Sequence, residues 1–247
     1  MGGNAKILRV IQVIPTVCAA GGAIGASGAF AWGAVAPSSH LFGPTIRRTG
    51  DASTIALTFD DGPNPAITLS LLDLLDRHRV KATFFLIGAW VREAPELAKE
   101  IAARGHAVGN HTYTHPALTF RSASRISTEL DRCDNAIESA SGLRPRWMRP
   151  PFGFRAPMLD KIVRKRGGAG VVMWSAWARD WKPQPAEPVL ERLRRARGGD
   201  IVLLHDGGHR VINADRRHTV AALEYWLPRW NDSGIRFVTL DEMQPRG

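Results

Sequence analysis

Cysteine is scarce in this sequence, with two residues among 247. Cys18 lies in an apolar N-terminal stretch and Cys133 lies in a predicted helix, so we expect no disulfide bond between them. A fold held together by disulfides is therefore excluded, and the cysteine content does not indicate a redox compartment.

Charged side chains are missing from Val10 to Ala36. A transmembrane helix needs about 20 apolar residues, so the stretch is long enough for a membrane anchor. A secretory signal peptide is the alternative, although Pro37 makes a poor cleavage position. We favour the anchor, even though a proline and several glycines weaken a helix there. Lys6 and Arg9 then stay in the cytoplasm and the domain lies on the extracytoplasmic side, in the periplasm or at the cell surface, whereas cleavage would secrete it.

Nucleic-acid recognition motifs are also absent. No RNP, KH or C2H2 pattern accompanies the formal net charge of +10. Arginine-rich runs attract anionic lipid, glycan or nucleic acid, but such runs more often form a solvated surface. We predict no nucleic-acid partner and no protein partner, and a basic nucleic-acid-binding module is the weakest of three functional hypotheses.

Internal repeats and low-complexity blocks are absent as well, and the chain divides by composition. We expect a signal-anchor or transmembrane segment over 1–36, a polar linker over 37–53, a domain over 54–241 and a tail over 242–247. Apolar runs within the domain alternate with segments of helical periodicity, which predicts a parallel α/β sheet, open or closed into a barrel. The predicted strands are 54–59, 82–87, 106–109, 147–148, 170–175, 200–204 and 235–239, and the predicted helices are 66–78, 94–103, 122–140, 156–166, 187–196 and 218–229.

Two adjacent carboxylates follow the first predicted strand of the domain. Asp60 and Asp61 come directly after the apolar run 54–59 and directly before Gly62-Pro63. Neighbouring residues of a strand face opposite sides of the sheet, so two acids converge only where the backbone bends. Gly62-Pro63 is typical of such a bend. Because an isolated Asp-Asp-Gly-Pro is more often an ordinary turn, a chemical role depends on the rest of the chain.

Polar clusters follow several other predicted strands. The carboxyl ends of parallel strands gather at one face of an α/β fold, which is where sites form. We therefore expect these clusters to converge with Asp60 and Asp61. They are His111-Thr112-Tyr113-Thr114-His115, Arg149, Asp180-Trp181 and His205-Asp206.

The first cluster has the composition of a metal site. His111 and His115 are four residues apart, a spacing that places two imidazoles on one side of a helical turn. With one carboxylate they make three protein ligands, the number typical of a catalytic metal site with an open position. A divalent ion is therefore predicted, with Zn²⁺ preferred and Co²⁺ or Ni²⁺ as alternatives. Two histidines alone at this spacing are more often surface residues, so the prediction depends on the neighbouring acids.

Five motifs occur in an order that resembles a known family. They are Thr58-Phe-Asp-Asp-Gly-Pro63, His111-Thr-x-x-His115, Arg149-Pro-Pro-Phe-Gly153, Asp180-Trp181 and Leu203-Leu-His-Asp206. The resemblance is to the polysaccharide deacetylases of the NodB homology type, carbohydrate esterase family 4, and it covers roughly residues 53–241. It implies a distorted (β/α) barrel with fewer than eight complete units. It also implies metal-dependent hydrolysis of an N-acyl group, usually N-acetyl, on an amino sugar.

The resemblance implies a role for each matching residue. The implied metal ligands are Asp61, His111 and His115. Asp60 is the implied general base for the attacking water, and His205 is the implied acid for the leaving amine.

Supporting roles follow from the same resemblance. Asp180 would orient His205, Arg149 would pair with Asp60 and keep it ionised, and the backbone N–H of Phe152 would help hold the oxyanion. The implied substrate pocket, which would receive the acyl methyl, is lined by Trp181, Leu203, Pro150 and Pro151.

The sequence departs from the family pattern at Trp177. Related enzymes often have Asp-x-x-Asp-Trp, and here Trp177 stands at the first acid. The second acid, Asp180, is the one with an implied role, so we expect catalysis to survive, and the departure leaves the substrate preference open. We expect an N-acetylated glycan as substrate, either peptidoglycan, a chitin-like oligomer or a lipid-linked amino sugar. A catalytically silent glycan-binding protein on the same fold is the alternative. His106, His209 and His218 belong to no motif and are predicted to be surface or loop residues.

Overall fold

The computed structural model of the protein describes residues 27–243. Its strands are β1 (Thr45–Ile46), β2 (Thr54–Gly62), β3 (Thr83–Leu86), β4 (Ala107–Asn110), β5 (Trp147–Met148), β6 (Gly170–Val172), β7 (Ala176–Trp177), β8 (Ile201–His205) and β9 (Arg236–Phe237). Its helices are α1 (27–35), α2 (Thr68–Arg77), α3 (Gly88–Glu93), α4 (Pro95–Ala103), α5 (Ala123–Ser141), α6 (Leu159–Lys165), α7 (Ala186–Leu193) and α8 (Arg217–Asp232). All predicted strands and helices of the domain are present, and α3, β1 and β7 are additional.

One parallel sheet organises residues 27–243. The strand order is β1-β6-β5-β4-β3-β2-β8-β7, and β9 pairs with the beginning of β2. Since β1 and β7 end this path, pairing between these nine strands does not close the ring, and an isolated bridge joins Arg48, after β1, to Asp200, before β8. Helices provide most of the crossovers between successive strands, as is usual in a parallel sheet, but none lies between β1 and β2 or between β6 and β7. The fold is the predicted distorted (β/α) barrel with incomplete closure.

Strand β2 lies at the centre of the sheet. All nine of its residues are buried, and it pairs with β3 on one side and β8 on the other. This explains why the run 54–59 is continuously apolar or β-branched, because a central parallel strand is covered on both faces. Asp60 pairs in register with His205 at the end of β8. The sheet therefore brings the end of β2 and the end of β8 side by side.

Helix α5 packs along the sheet through the face that its periodicity predicts. Its buried residues are Ile126, Leu130, Cys133, Asp134 and Ile137. The Ser122 side chain accepts a hydrogen bond from the Arg125 N–H at its first turn, and Gly142 ends it in the left-handed conformation with φ 74°. The caps at its two ends fix where α5 begins and ends.

The segment between 27 and 53 is joined to the domain. Residues 45–46, within the predicted linker, form β1 and pair with β6. The fully buried Arg155 side chain donates hydrogen bonds to the carbonyls of Gly33, Ala36 and Ser39. Such a buried cation needs these carbonyl partners, since burying an unpaired charge is costly. The predicted linker is therefore part of the packed structure along much of its length.

The described part of the chain contains no helix with both the length and the apolar character needed to cross a bilayer. Most of the predicted anchor, 10–36, lies outside residues 27–243, as do residues 244–247 of the predicted tail.

Candidate active site

A β-bulge at the end of β2 turns two neighbouring acids to one edge of the sheet. The pairing register with β3 shifts between Asp60 and Gly62, and Asp61 has φ 70°. A bulge re-aims side chains in this way. The bend therefore lies at Asp61, one residue earlier than the predicted Gly62-Pro63, because Gly62 is still paired with Leu86.

His111 and His115 lie in an irregular loop after β4, so the predicted helical turn is wrong. Side chains rather than helix hydrogen bonds hold this loop. The Asn110 side chain accepts from the Thr112 N–H at 2.8 Å, and the Thr112 hydroxyl accepts from the His115 N–H at 3.1 Å. Thr112 and His115 have φ 66° and 56°, values that a helix does not contain.

The α5 carboxylate Glu129 fixes the middle of the same loop. It accepts hydrogen bonds from the N–H groups of Tyr113 and Thr114 at 3.0 and 2.8 Å. These contacts come from a helix distant in sequence, so the local spacing does not predict the loop conformation. The result still brings the rings of His111 and His115 to a centroid distance of 4.9 Å.

Both imidazoles face Asp61. The distances from Asp61 Oδ1 to His111 Nε2 and His115 Nε2 are 3.4 and 3.1 Å. His111 Nδ1 lies 2.8 Å from the Arg149 carbonyl; because a carbonyl can only accept, Nδ1 carries a hydrogen and donates this bond. His111 Nε2 is therefore the free nitrogen, oriented toward Asp61 by a backbone acceptor as ligand histidines commonly are.

The charges at this spot suit a bound cation. Asp61 Oδ1 is buried and has no hydrogen-bond partner within residues 27–243. Burial raises the pKa of Asp61, but contacts from His111, His115 and His209 hold that pKa well below its usual value. Burial lowers the pKa of His115, whereas at His111 the charge of Asp60 and the contact with Asp61 outweigh burial and raise the pKa. A carboxylate with two imidazoles fits a divalent first-row metal.

Asp60 is held by a fully buried arginine. Arg149 Nη1 lies 2.8 Å from Asp60 Oδ1 and also donates to the Thr58 hydroxyl at 2.7 Å, while Nη2 donates to the Met173 carbonyl at 3.1 Å. Burial lowers the pKa of Arg149 even though Asp60 counteracts this effect. The second oxygen of Asp60 lies 3.7 Å from His111 Nε2 and is directed to the same spot as Asp61.

His205, at the end of β8, is paired with Asp180. His205 Nδ1 lies 2.8 Å from Asp180 Oδ1, and the His205 N–H donates to Asp180 Oδ2 at 2.9 Å. Thr219 also donates to Asp180, at 2.8 Å. Burial lowers the pKa of His205, but the charge and hydrogen bond of Asp180 outweigh it and raise that pKa to about 9. His205 is therefore protonated at neutral pH.

Phe152 lies beside the two imidazoles with its backbone in the left-handed region, at φ 60°. Its half-exposed ring meets the His115 ring edge-on at 4.6 Å. On the other side of the site Trp181 lies 6.4 Å from the ring of His205. Leu203 pairs in register with Trp177, and the Pro150-Pro151 pair leads into the turn of Phe152.

Asp206 serves the fold at this edge. Its carboxylate is fully buried, accepts a hydrogen bond from the Thr68 hydroxyl at 2.6 Å, and fills the space where a Cβ on Gly62 would lie. Burial raises its pKa to about 7. Asp206 thereby joins the start of α2 to the ends of β2 and β8.

The three histidines outside the motifs are not ordinary surface residues. His106 and His218 are buried: His106 Nδ1 accepts from the Ala82 N–H, and His218 Nε2 lies 2.9 Å from the Asp180 carbonyl. His209 Nδ1 lies 3.9 Å from Asp61 Oδ2. The predicted surface or loop position is wrong for His218, which lies on α8, whereas His106 and His209 do lie in loops. His106 is buried in its loop, and His209 belongs to the site. Its one sequence signal is the glycine pair that precedes it.

Comparison with known proteins gives the family. The sequence profile of the polysaccharide deacetylases matches residues 47–171. The chain belongs to the polysaccharide deacetylase family.

Two relatives in this family have names that give different substrates. The chain is 36% identical over 201 residues to the peptidoglycan-N-acetylglucosamine deacetylase PgdA of Listeria monocytogenes, covering 81% of this chain and 41% of the relative. The chain therefore spans less than half of that relative's length. It is 40% identical over 208 residues to a chitooligosaccharide deacetylase of Bradyrhizobium, covering 80% of this chain and 94% of the relative.

Solved structures agree with the fold. A peptidoglycan deacetylase from Bacillus subtilis matches with a TM-score of 0.68 and 32% identity, over 79% of this chain and 91% of that one. A pseudoenzyme of carbohydrate esterase family 4 from Bacillus anthracis matches with a TM-score of 0.71 and 31% identity, over 81% of this chain and 68% of that one. The predicted family and the predicted fold are both confirmed.

Proposed function

We propose that this polysaccharide deacetylase is a metal-dependent hydrolase that removes N-acetyl groups from the amino sugars of a glycan. One juxtaposition supports the proposal most. Asp60 and Asp61 face two imidazoles at the end of β2, and the Asp180-paired His205 stands beside Asp60 on the neighbouring strand. A base, a cation site and an acid thus lie along one sheet edge.

Asp61, His111 and His115 would hold the cation, for which Zn²⁺ is our first choice. The orphaned Asp61 Oδ1 and the two nitrogens at 3.4 and 3.1 Å from it support this assignment. When bound there, a divalent ion supplies a water whose pKa is lowered to about 7 and a positive charge for the acyl oxygen.

Asp60 acts as the general base. Its carboxylate takes a proton from the attacking water while the water oxygen forms a bond to the acyl carbon. Arg149 holds the carboxylate at 2.8 Å and compensates its charge, so that Asp60 Oδ2 stays directed toward the cation site.

His205 acts as the general acid. An amide nitrogen leaves poorly until it is protonated, and His205 supplies that proton as the carbon–nitrogen bond breaks. The products are acetate and the free amine of the sugar. Asp180 keeps the proton on His205 and fixes the ring through Nδ1, so that Nε2 carries the transferable proton.

The remaining groups surround the position proposed for the acyl group of the substrate. The backbone N–H of Phe152 is proposed to stabilise the oxyanion, beside the ring of His115. The acyl methyl is proposed to enter between the walls formed by Trp181, Leu203, Pro150 and Pro151. Trp181 is 39% exposed, so its indole is accessible to a ligand.

The substrate is proposed to be peptidoglycan, a chitin-like oligomer or a lipid-linked amino sugar. The similarity to a peptidoglycan-N-acetylglucosamine deacetylase and to a chitooligosaccharide deacetylase supports this class of N-acetylated glycans. Peptidoglycan lies outside the cytoplasm, and together with the uncharged stretch Val10–Ala36 this supports an extracytoplasmic domain with an N-terminal anchor.

A catalytically silent glycan-binding protein is the second candidate. The similarity to the Bacillus anthracis pseudoenzyme favours considering it. Against it, each acid, base and ligand position discussed above carries a residue competent for its role.

Acetate release from chitooligosaccharides and from peptidoglycan tests the proposal. The full-length chain loaded with Zn²⁺ should release acetate, and Asp60→Asn and His205→Ala should each lower the rate by about 10² to 10⁴. Both variants should still bind the glycan. Glycan binding without acetate release in the parent, with Zn²⁺, Co²⁺ and Ni²⁺ each supplied, would instead establish the silent protein.

A further inference from the structure

The loop after β8 runs directly against the bulge of β2. The Gly207 N–H lies 3.4 Å from the Asp60 carbonyl, and a Cβ on Gly207 would overlap the Asp61 carbonyl. Gly208 follows, and its carbonyl accepts from the indole of Trp90 at 3.2 Å. Glycine at 207 thus permits a close approach of two backbones, which carries the next side chain, at 209, to the acids.

His209 presents a nitrogen at the distance that a shared cation requires. Its Nδ1 lies 3.9 Å from Asp61 Oδ2, and the ligand atoms of Asp61, His115 and His209 all lie within 4.8 Å of one another. Two protein atoms each about 2.1 Å from one metal ion are at most about 4.2 Å apart. The 3.9 Å separation between His209 Nδ1 and Asp61 Oδ2 falls inside this limit, while the 4.8 Å bound on the whole group is slightly wider.

The His209 ring is held in place by its neighbours. It stacks on the His115 ring at 4.6 Å with an interplanar angle of 16°, and it meets the Phe152 ring edge-on at 5.2 Å. Stacking alone could account for a ring at this position. A test must therefore separate the ring from its nitrogen.

We propose that His209 is a fourth protein ligand of the cation, bound through Nδ1 beside Asp61, His111 and His115. The inference rests on the metal centre of the proposed function. The three imidazoles lie near different oxygens of the Asp61 carboxylate. His111 and His115 face Oδ1, and His209 faces Oδ2. An ion shared by both oxygens of Asp61 would therefore have His111 and His115 on its Oδ1 side and His209 on its Oδ2 side.

A fourth protein donor is compatible with catalysis, because zinc at a catalytic site can expand to five ligands and so keep one position for water. His209 is the solvent-side donor, since its side chain is 34% exposed and that of His111 only 2%. Three imidazoles with one carboxylate favour Zn²⁺, Co²⁺ or Ni²⁺ over Mg²⁺ or Ca²⁺.

Metal affinity of the full-length chain tests the proposal without using activity. His209→Phe keeps an aromatic ring against His115 but removes the nitrogen, and His209→Ala removes both. The metal-stripped proteins are titrated with Zn²⁺ against a chelator and with Co²⁺ by visible absorption. Both variants should bind at least about tenfold more weakly than the parent. Their Co²⁺ bands should also change position and intensity, because a nitrogen ligand is lost.

His40→Ala, an exposed histidine outside the site, is the matched control and should bind as the parent does. Parental affinity and a parental Co²⁺ spectrum in His209→Phe would overturn the proposal, even if His209→Ala were weakened, because stacking alone would then suffice. A parent that binds no divalent ion would overturn this inference and the proposed metal centre together. Weakened binding in His209→Phe without any acetate release in the parent would support the inference and reject only the proposed reaction.

Discussion

The two halves of the site differ in how firmly they are held. The acid–imidazole half, formed by Asp60, Asp61, His111 and His115, is buried, and each of these side chains is at most 7% exposed. The aromatic half lies across β8. There Trp177 and Trp181 are 38% and 39% exposed, and they stack on each other at 5.6 Å.

The partners of each half explain this difference. In the acid–imidazole half, Asp60 is fixed by Arg149 and His111 by a backbone carbonyl. In the aromatic half, Trp174, Trp177 and Trp181 contact one another in a row. Reacting groups gain from a geometry fixed in advance, whereas an exposed aromatic row can accept sugar faces of different shapes. We infer that chemistry depends on the first half and substrate choice on the second.

Removing Arg149, which pairs with Asp60 in the acid–imidazole half, should have the largest effect of the changes considered, a loss of unfolding free energy. Arg149→Met keeps an unbranched side chain but leaves Asp60 buried without its partner, and breaking such a pair costs about 3–5 kcal/mol of unfolding free energy. Denaturant unfolding measures this loss.

The control for that variant is an exposed pair of the same kind. Arg77 and Glu224 pair at 3.3 Å with side chains 58% and 64% exposed, so Arg77→Met should cost at most about 1 kcal/mol. Equal losses in Arg149→Met and Arg77→Met would show that burial does not distinguish the two pairs.

At the boundary between the halves, Asp180→Asn should change the pH dependence of activity. The parental pKa of His205 is about 9, so the general acid is lost as the pH rises through that value. The Asp180→Asn substitution removes the charge that raises the pKa of His205 most, so that pKa falls, although the weaker charges of Asp60 and Asp61 still oppose the effect of burial. The alkaline limb of kcat/KM should therefore move to lower pH.

Asp215→Asn is the control for this shift, since Asp215 forms an exposed ion pair with Arg217. Its alkaline limb should coincide with that of the parent. An unmoved limb in Asp180→Asn would show that His205 does not depend on Asp180 for its proton.

The sequence predicts which residues form the acid–imidazole half, but not the backbone conformation that positions them. The strand ends could be located because each strand is an apolar run, and parallel strands bring those ends together whatever the details of the loops. The family motifs then named the residues of the acid–imidazole half. What could not be predicted was local backbone: the bulge at Asp61 and the loop of His111 and His115 are set by β3 and by Glu129, which are distant in sequence.

His209 escaped prediction for a similar physical reason. It has no periodic neighbour, and its position depends on the contact of Gly207 with the backbone of Asp61 across two strands. A glycine pair in a sequence indicates backbone freedom but does not say which other segment approaches it.

The smallest effect is expected for a substitution in the aromatic half, Trp177→Asp, and it concerns kcat/KM. Trp177→Asp introduces the acid that related enzymes often carry and removes the middle ring of the row that stacks with Trp174 and Trp181. If a sugar ring packs on this row, kcat/KM for a long N-acetylated oligosaccharide should fall by roughly three- to tenfold, the value of one aromatic contact. The rate with a disaccharide should change less, because it does not reach past Trp181.

Tyr225→Ala provides the comparison, since Tyr225 is an exposed aromatic residue on α8. It should leave the ratio of long to short substrate unchanged. If the Trp177→Asp protein kept the parental ratio of kcat/KM for long and short substrates, substrate choice would not depend on the aromatic row. That result would contradict the division of the site into a chemical half and a recognition half.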